Sequence, residues 1–405
     1  MQWTSIGFLV PGDLGILPLV AFGLLRRDRT DIAQNQFRRR LLLPAVVITV
    51  GSLLAVVDIG LTSWAVNTLV LDAVVTLTFL GLLAYARSIK LNQRYVTLAI
   101  TAAGLFVSLI AIAQRGYRPA ATFQQTNMTA HFLASCFVFT LIRATPRVRL
   151  VALPIMLLAV GLTSSFGALL SILAVLVWFG YGAMKGRMRN TSPALVVLIW
   201  AVLVGGLGFV AKSAVTAELK TENSAANQGL SQKRLDKSGT GRKDIWLDGI
   251  HALQKDPLGI GPGGFKPLGI HTKIVNGELD TAEIHHDFIG YLVERGYIGV
   301  LGLLLLYVTL WRAGSKRGVA RGLLLMNLVA GQFRETLHFR HLWLFIALAL
   351  AAEITESAPK VHRSGRSAAR ALAAGSAPGM SRATRLEMKT HAQSRAAKLA
   401  EKVSR

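Results

Sequence analysis

His285-His286-Asp287-Phe288-Ile289-Gly290-Tyr291-Leu292-Val293-Glu294-Arg295-Gly296-Tyr297-Ile298-Gly299 closes a long polar segment and opens an apolar run that continues to Trp311. A run near the ~20 residues that cross a bilayer reads as a membrane-spanning helix. This one carries Glu294 and Arg295 near its start and a histidine pair just before it. Ionisable groups are costly in hydrocarbon, so by default they mark a functional position. The stretch therefore sets a titratable imidazole at a membrane surface, beside a large extramembrane loop.

The rest of the chain agrees with that setting. Of its 405 residues, 52% are hydrophobic and 16% charged, against roughly 25% charged in a soluble protein. The net charge of +24 raises nucleic-acid binding, but the basic residues sit in short connections between apolar runs, where they orient helices. No nucleic-acid partner is expected; membrane lipids are. No basic segment followed by a small-residue cleavage site opens the chain, so no cleaved signal peptide is expected. The single cysteine, Cys136, falls within a span and reads as a small packing residue.

Apolar spans are expected near 4–25, 41–59, 64–86, 95–113, 128–145, 150–164, 166–184, 193–211, 288–311, 319–331 and 341–355. Arginines and lysines crowd every odd connection: Arg38, Arg39 and Arg40 in the first, Arg147 and Arg149 in the fifth, Arg312, Lys316 and Arg317 in the ninth. The positive-inside rule puts these in the cytoplasm and the segments 114–127, 212–287 and 332–340 on the outer side. Pro11, Gly12 and Asp13 can break the first run into a hairpin, so eleven or twelve spans are expected. The fold class is an all-α polytopic membrane protein with one large, partly helical outer loop. The expected divisions are 1–211 (helices with short loops), 212–287 (large loop), 288–356 (C-terminal helices) and 357–405. That last segment is a basic cytoplasmic tail, low in aliphatics and either disordered or a surface helix.

Within the large loop, 224–241 reads as irregular, 241–255 as helical and 257–269 as a Gly/Pro-rich turn region. Arg242 offers a planar fork of donors suited to diphosphate oxygens. The glycines of Pro257-Leu258-Gly259-Ile260-Gly261-Pro262-Gly263-Gly264-Phe265 let backbone N–H groups approach an anion, although no strand precedes them as a dinucleotide fold requires. Arg115 and Arg118 lie on the outer side against the charge bias, which suits them to an anionic ligand, and Asn127 follows them. Arg334, in Phe333-Arg334-Glu335-Thr336-Leu337-His338-Phe339, is another outer cation; pairing with Glu335 is its plainer reading. Asp244, Asp248 and His251 share a helical face that reads as solvated. His271, His285 and His286 lack a third-ligand spacing, so no metal is expected. No Asp-x-Asp pair is present, which disfavours a metal-dependent nucleotide-sugar transferase. Gly296, Gly299 and Gly302 read as one close-packing face of a continuous helix.

His285, one residue, nine residues, Gly296, two residues, Gly299 resembles the pattern of bacterial O-antigen ligases. Gly241-Arg242-Lys243-Asp244-Ile245-Trp246, with the Pro-Leu-Gly turn after it, is similar to a second segment of the O-antigen ligase and polymerase superfamily. Two departures stand out. His286 occupies a place where the family has an amide or hydroxyl. Ser165-Phe166-Gly167 stands where many members have Ser-Arg-Gly, which makes Arg118 and Arg334 the candidates to supply the missing cation. The resemblance is strongest over 241–300. It implies a membrane glycosyltransferase fold of the GT-C-like kind, in the bacterial inner membrane with its site facing the periplasm. It also implies transfer of O-antigen glycan from undecaprenyl diphosphate to a sugar hydroxyl of lipid A–core. His285 would be the catalytic base, and Arg242, Arg118, Arg334, Arg115, His286 and Asn127 would contact substrate; no cofactor is expected. The alternatives are an O-antigen polymerase and a lipid-linked glycan transporter.

Overall fold

The computed structural model describes residues 18, 21, 32–89, 91–114, 119–123, 125–184, 243–270, 272–275, 278–281 and 284–357. All of these but Ser357 belong to the compact unit Met1–Glu356. Apart from residues 18 and 21, the expected span near 4–25 lies outside the described residues, as do the span near 193–211, the irregular stretch 224–241 and the tail beyond Ser357.

The remaining expected spans are helices: α1 Ile32–Ile59, α2 Ser63–Ser88, α3 Gln93–Ala113, α4 Thr126–Arg143, α5 Pro146–Leu162 and α6 Phe166–Met184. The loop helix α7 follows over 243–255, then α8 Asp287–Ala313, α9 Val319–Ala330 and α10 Arg340–Ser357. Local chemistry sets several starts. Thr62 and Asn92 cap α2 and α3 by accepting from the Ala65 and Arg94 N–H groups, and Pro146 opens α5, where its missing N–H costs nothing. The all-α expectation gains one exception. Strands β1 Thr272–Val275 and β2 Glu278–Thr281 pair antiparallel, Val275 opposite Glu278. The β-branched run beside Asn276-Gly277 is a strong hairpin signal.

Among the described residues, four segments have the length and apolar composition to cross a bilayer: Gln36–Val57, Ser63–Ser88, Gln93–Ala113 and Asp287–Ala313, the last of them broken at Gly296. The burial pattern is that of a membrane protein. Val57, Leu98, Phe106 and Leu150 each expose more than half their surface, a poor arrangement in water and an ordinary one in lipid. Several polar groups turn inward and find partners there. The Thr101 and Thr140 hydroxyls lie 2.9 Å apart, and Ser108 and Ser135 donate to carbonyls one turn back. Gly104 lets α3 close on Met156 of α5 and Cys136 of α4, which gives the lone cysteine its packing role. At the end rich in basic residues, buried Glu353 accepts from the Ser315 and Ala320 N–H groups at 2.7 and 3.1 Å and so caps α9.

The histidine-bearing segment departs from a continuous span. Gly296 has φ 64° and ψ −171°, a conformation essentially confined to glycine. The chain folds back there: the rings of Phe288 and Tyr307 are 5.7 Å apart, whereas 19 residues of straight helix would separate them by about 28 Å. α8 is therefore two arms, 287–295 and 297–313, rather than one helix with a stripe of glycines. The second arm packs along α1, where Gly51 meets the Gly299 backbone and Gly302 meets that of Ile48. The turn that follows α7 docks on the apex. The Val293 carbonyl, freed by the break, accepts from the Ile260 N–H at 3.0 Å. A Cβ on Gly296 would stand 2.5 Å from the Leu258 carbonyl oxygen. Gly259, at φ 100°, meets the same apex from the other side.

Gly296→Ala is expected to destabilise the protein by about 2 kcal/mol or more, from backbone strain and the contact with Leu258. Gly161→Ala, inside α5 with nothing within 4 Å of the added methyl, should instead be neutral or stabilise by about 0.5–1 kcal/mol. Thermal unfolding of the two detergent-solubilised variants beside wild type measures the contrast.

Candidate active site

The break at Gly296 sets the first arm of α8 against the connection 331–339 between α9 and α10. The Asp287 N–H donates to the Gly331 carbonyl at 2.7 Å. The buried Asp287 carboxylate accepts from the Thr336 N–H at 2.6 Å, from the Thr336 hydroxyl, and from the Leu337 N–H at 3.3 Å. One carboxylate thus replaces the solvent of three donors and fixes the backbone beside the histidine pair.

The two histidines differ in environment. His286 is the N-cap of α8: its Nδ1 accepts from the Ile289 N–H at 3.2 Å, and it shares a hydrogen bond with the Gln332 side chain. Its ring meets the Trp246 indole edge-on at 5.1 Å. Burial holds its pKa below the ordinary imidazole value, with the Gln332 bond working against that shift. His285 is exposed. A cap that accepts at Nδ1 and packs against an indole is committed to the fold, whereas the His285 ring is exposed.

A charged cluster lies behind the first arm. Arg295, only 1% exposed, pairs with Asp72 of α2, donates to the Ser52 hydroxyl of α1 at 2.7 Å, and stands 4.3 Å from the centre of the Tyr291 ring. The preceding residue, Glu294, accepts from the Gly263 N–H at 2.9 Å, so the glycine-rich turn binds an anion of the chain itself. His338 reaches the same cluster, its Nε2 3.7 Å from Asp72 and its Nδ1 3.5 Å from Glu335. Burial opposes its charge, but the Asp72 hydrogen bond and the charges of Glu335 and Asp72 prevail and raise its pKa to about 9. A buried guanidinium is tolerable only when paired and hydrogen-bonded in this way.

Of the cations expected from sequence, Arg334 donates to the Gln125 side chain and lies 5.4 Å over the Phe339 ring. This ties the 331–339 connection to the residue before α4, two positions from Asn127. Arg115, Arg118 and Arg242 lie outside the described residues. The helix that starts at Lys243 nevertheless brings Trp246 onto His286. Among the described residues, no group of three or more His, Cys, Asp or Glu is placed to hold a metal ion.

Several site residues were missed from sequence. Arg295 and Glu294 had shown themselves as charges in an apolar run, but their partners had not. Asp72, the lone carboxylate of its span, carried the same signal. Asp287 and Thr336 carried none. A buried polar chain was missed as well: His341 Nε2 lies 2.9 Å from His131 Nδ1, His131 Nε2 lies 3.0 Å from Asn327 Oδ1, and Asn327 donates to the Tyr307 hydroxyl at 2.7 Å. It joins α10, α4, α9 and α8.

Residues 151–306 match the family model described as O-antigen ligase, consistent with a member of the O-antigen ligase and polymerase superfamily. The match takes in the glycine-rich turn, both histidines and the Gly296 break. No curated protein matches the chain.

The raised pKa of His338 makes stability depend on pH in a defined sense. The folded state holds that proton more tightly than the unfolded chain, whose imidazole titrates at its ordinary value. The contribution is complete below about 6.5 and is lost as pH rises through about 9. Melting temperatures of wild type should therefore fall between pH 7 and 10 more steeply than those of His338→Gln. Parallel curves would contradict the assignment.

Proposed function

We propose that this protein is an O-antigen ligase. It moves the O-antigen glycan from undecaprenyl diphosphate to a sugar hydroxyl of lipid A–core, at the periplasmic face of the inner membrane. The observation that carries this reading is the division of labour in the histidine pair. The motif His285-x-(nine residues)-Gly296-x-x-Gly299 falls inside the region matched to the ligase family. His286 is spent on capping α8, and His285 is the exposed imidazole.

The chemistry is a single displacement. The acceptor oxygen forms a bond to the anomeric carbon as the bond from that carbon to the phosphate oxygen breaks, which inverts the configuration. The acceptor proton passes to His285, an imidazole suited to base catalysis near neutral pH. The diphosphate leaves with the bonding electrons. Its developing charge is met by Arg242 with a second arginine, for which Arg334 and Arg118 are the candidates; Arg115 and Asn127 are further candidates for substrate contact. No nucleotide, metal or cofactor is needed in this scheme, because diphosphate is already a good leaving group.

Reconstitution with purified undecaprenyl diphosphate-linked O-antigen and rough lipopolysaccharide, with a chelator present, tests the reading. Glycan should appear on lipid A–core. His285→Ala should lower the rate by at least about 10²-fold. His286→Asn, which supplies another capping side chain, should keep most of it. Undiminished transfer by His285→Ala would remove the base. A longer lipid-linked glycan in place of modified core would make the protein a polymerase.

A further inference from the structure

One charged group at this end of the bundle has no part in the displacement above. His338 is 29% exposed and lies between two carboxylates, 3.7 Å from Asp72 and 3.5 Å from Glu335. Both are ion-pair separations, and both exceed the about 2.7–2.9 Å of a tight charged hydrogen bond. The ring is held mainly by charge, and its N–H groups can still form a shorter bond to a better-placed anion.

The two partners are not equivalent. Asp72 is committed to the buried Arg295 guanidinium. Glu335 is 40% exposed, sits on the same connection as His338, and holds it across i, i+3. Glu294 and Arg295 on the first arm of α8 also act on this ring and its partners. Removing Asp72 from His338 would strand a buried arginine, whereas Glu335 is already partly in water where it stands. An anion more highly charged than a carboxylate can therefore compete for His338 only at the Glu335 side. That side is the right one for substrate. Arg334 precedes Glu335, and Thr336, next in sequence, is clamped by Asp287 beside the histidine pair.

We propose that His338 is a further anion-binding residue of this site, and that Glu335 holds the position one phosphate oxygen of the donor takes on binding. The proposal rests on the reading of the donor as a lipid-linked diphosphate. Binding consists of an exchange of ion pairs, with no bond made or broken. The Glu335 carboxylate swings into solvent, and the imidazolium N–H donates to phosphate. Glu335 then acts as an internal competitor that neutralises His338 until donor arrives.

Equilibrium binding of undecaprenyl diphosphate to the full-length protein in detergent tests this. At pH 7, His338→Gln should weaken binding about tenfold, the worth of one charge-assisted hydrogen bond, and Glu335→Gln should tighten it. Wild-type affinity should fall from pH 7 to pH 10, and that of His338→Gln should change less. If His338→Gln binds as wild type does, or Glu335→Gln binds more weakly, the proposal is wrong while the donor reading stands. If wild type fails to bind undecaprenyl diphosphate at all, both fall together. Should His338→Gln not fold, the partly exposed Glu335→Gln decides the matter alone.

Discussion

The backbone break at Gly296 is the constraint on which the site depends. A continuous helix from Asp287 to Ala313 would carry the histidine pair about 40 Å from its far end. Instead Gly296 folds the first arm back until Phe288 touches Tyr307. This buries Asp287 where it can clamp the 331–339 connection, and it frees the Val293 carbonyl for the turn that follows the loop helix. The glycines at 259 and 296 serve one contact from opposite sides: a Cβ on Gly259 would meet the Gly296 backbone, and one on Gly296 would meet the backbone of Leu258 and Pro257. The spacing from His285 to Gly296 is then the length of one helical arm, and that from Gly296 to Gly299 is the first turn of the next.

Around that break the structure commits many charges to one another. Arg295 and Asp72 join the first arm to α2, and Ser52 extends the bond to α1. Glu294 reaches the glycine-rich turn, and Asp287 and Thr336 close the other side. In a low-dielectric setting such groups are tolerable only with their partners in place, so together they specify a single arrangement of loop, arm and connection. The His341–His131–Asn327–Tyr307 chain does the same work among four helices. The first arm is held by polar contacts on several sides, and the exposed His285 stands on a rigid base.

The architecture was legible because its signals are local. Hydropathy located each span that the described residues include, to within about ten residues at the worst end, and the helix over 243–255 followed from composition. The site was legible only in part. His285, Trp246 and the glycine-rich turn stood out by spacing. The meaning of Gly296 did not, since a glycine in an apolar run reads equally well as a packing face, and only φ distinguishes the two. Asp72 and Arg295 are 223 positions apart in the chain, and no periodicity links them. Asp287 clamps Thr336 across 49 residues, and neither sequence neighbourhood announces it. The pairing of β1 with β2, by contrast, has a local signal in the Asn-Gly pair between them.

Folding back at Gly296 is a claim about distance, and a distance tests it. Spin labels at His285→Cys and Val308→Cys, both exposed positions in a chain whose one native cysteine is buried, can be measured by pulsed dipolar spectroscopy in nanodiscs. A hairpin hinged at Gly296 gives one population far shorter than the about 35 Å that a straight helix imposes between the two labels. A single population at or beyond that straight-helix separation would contradict the account.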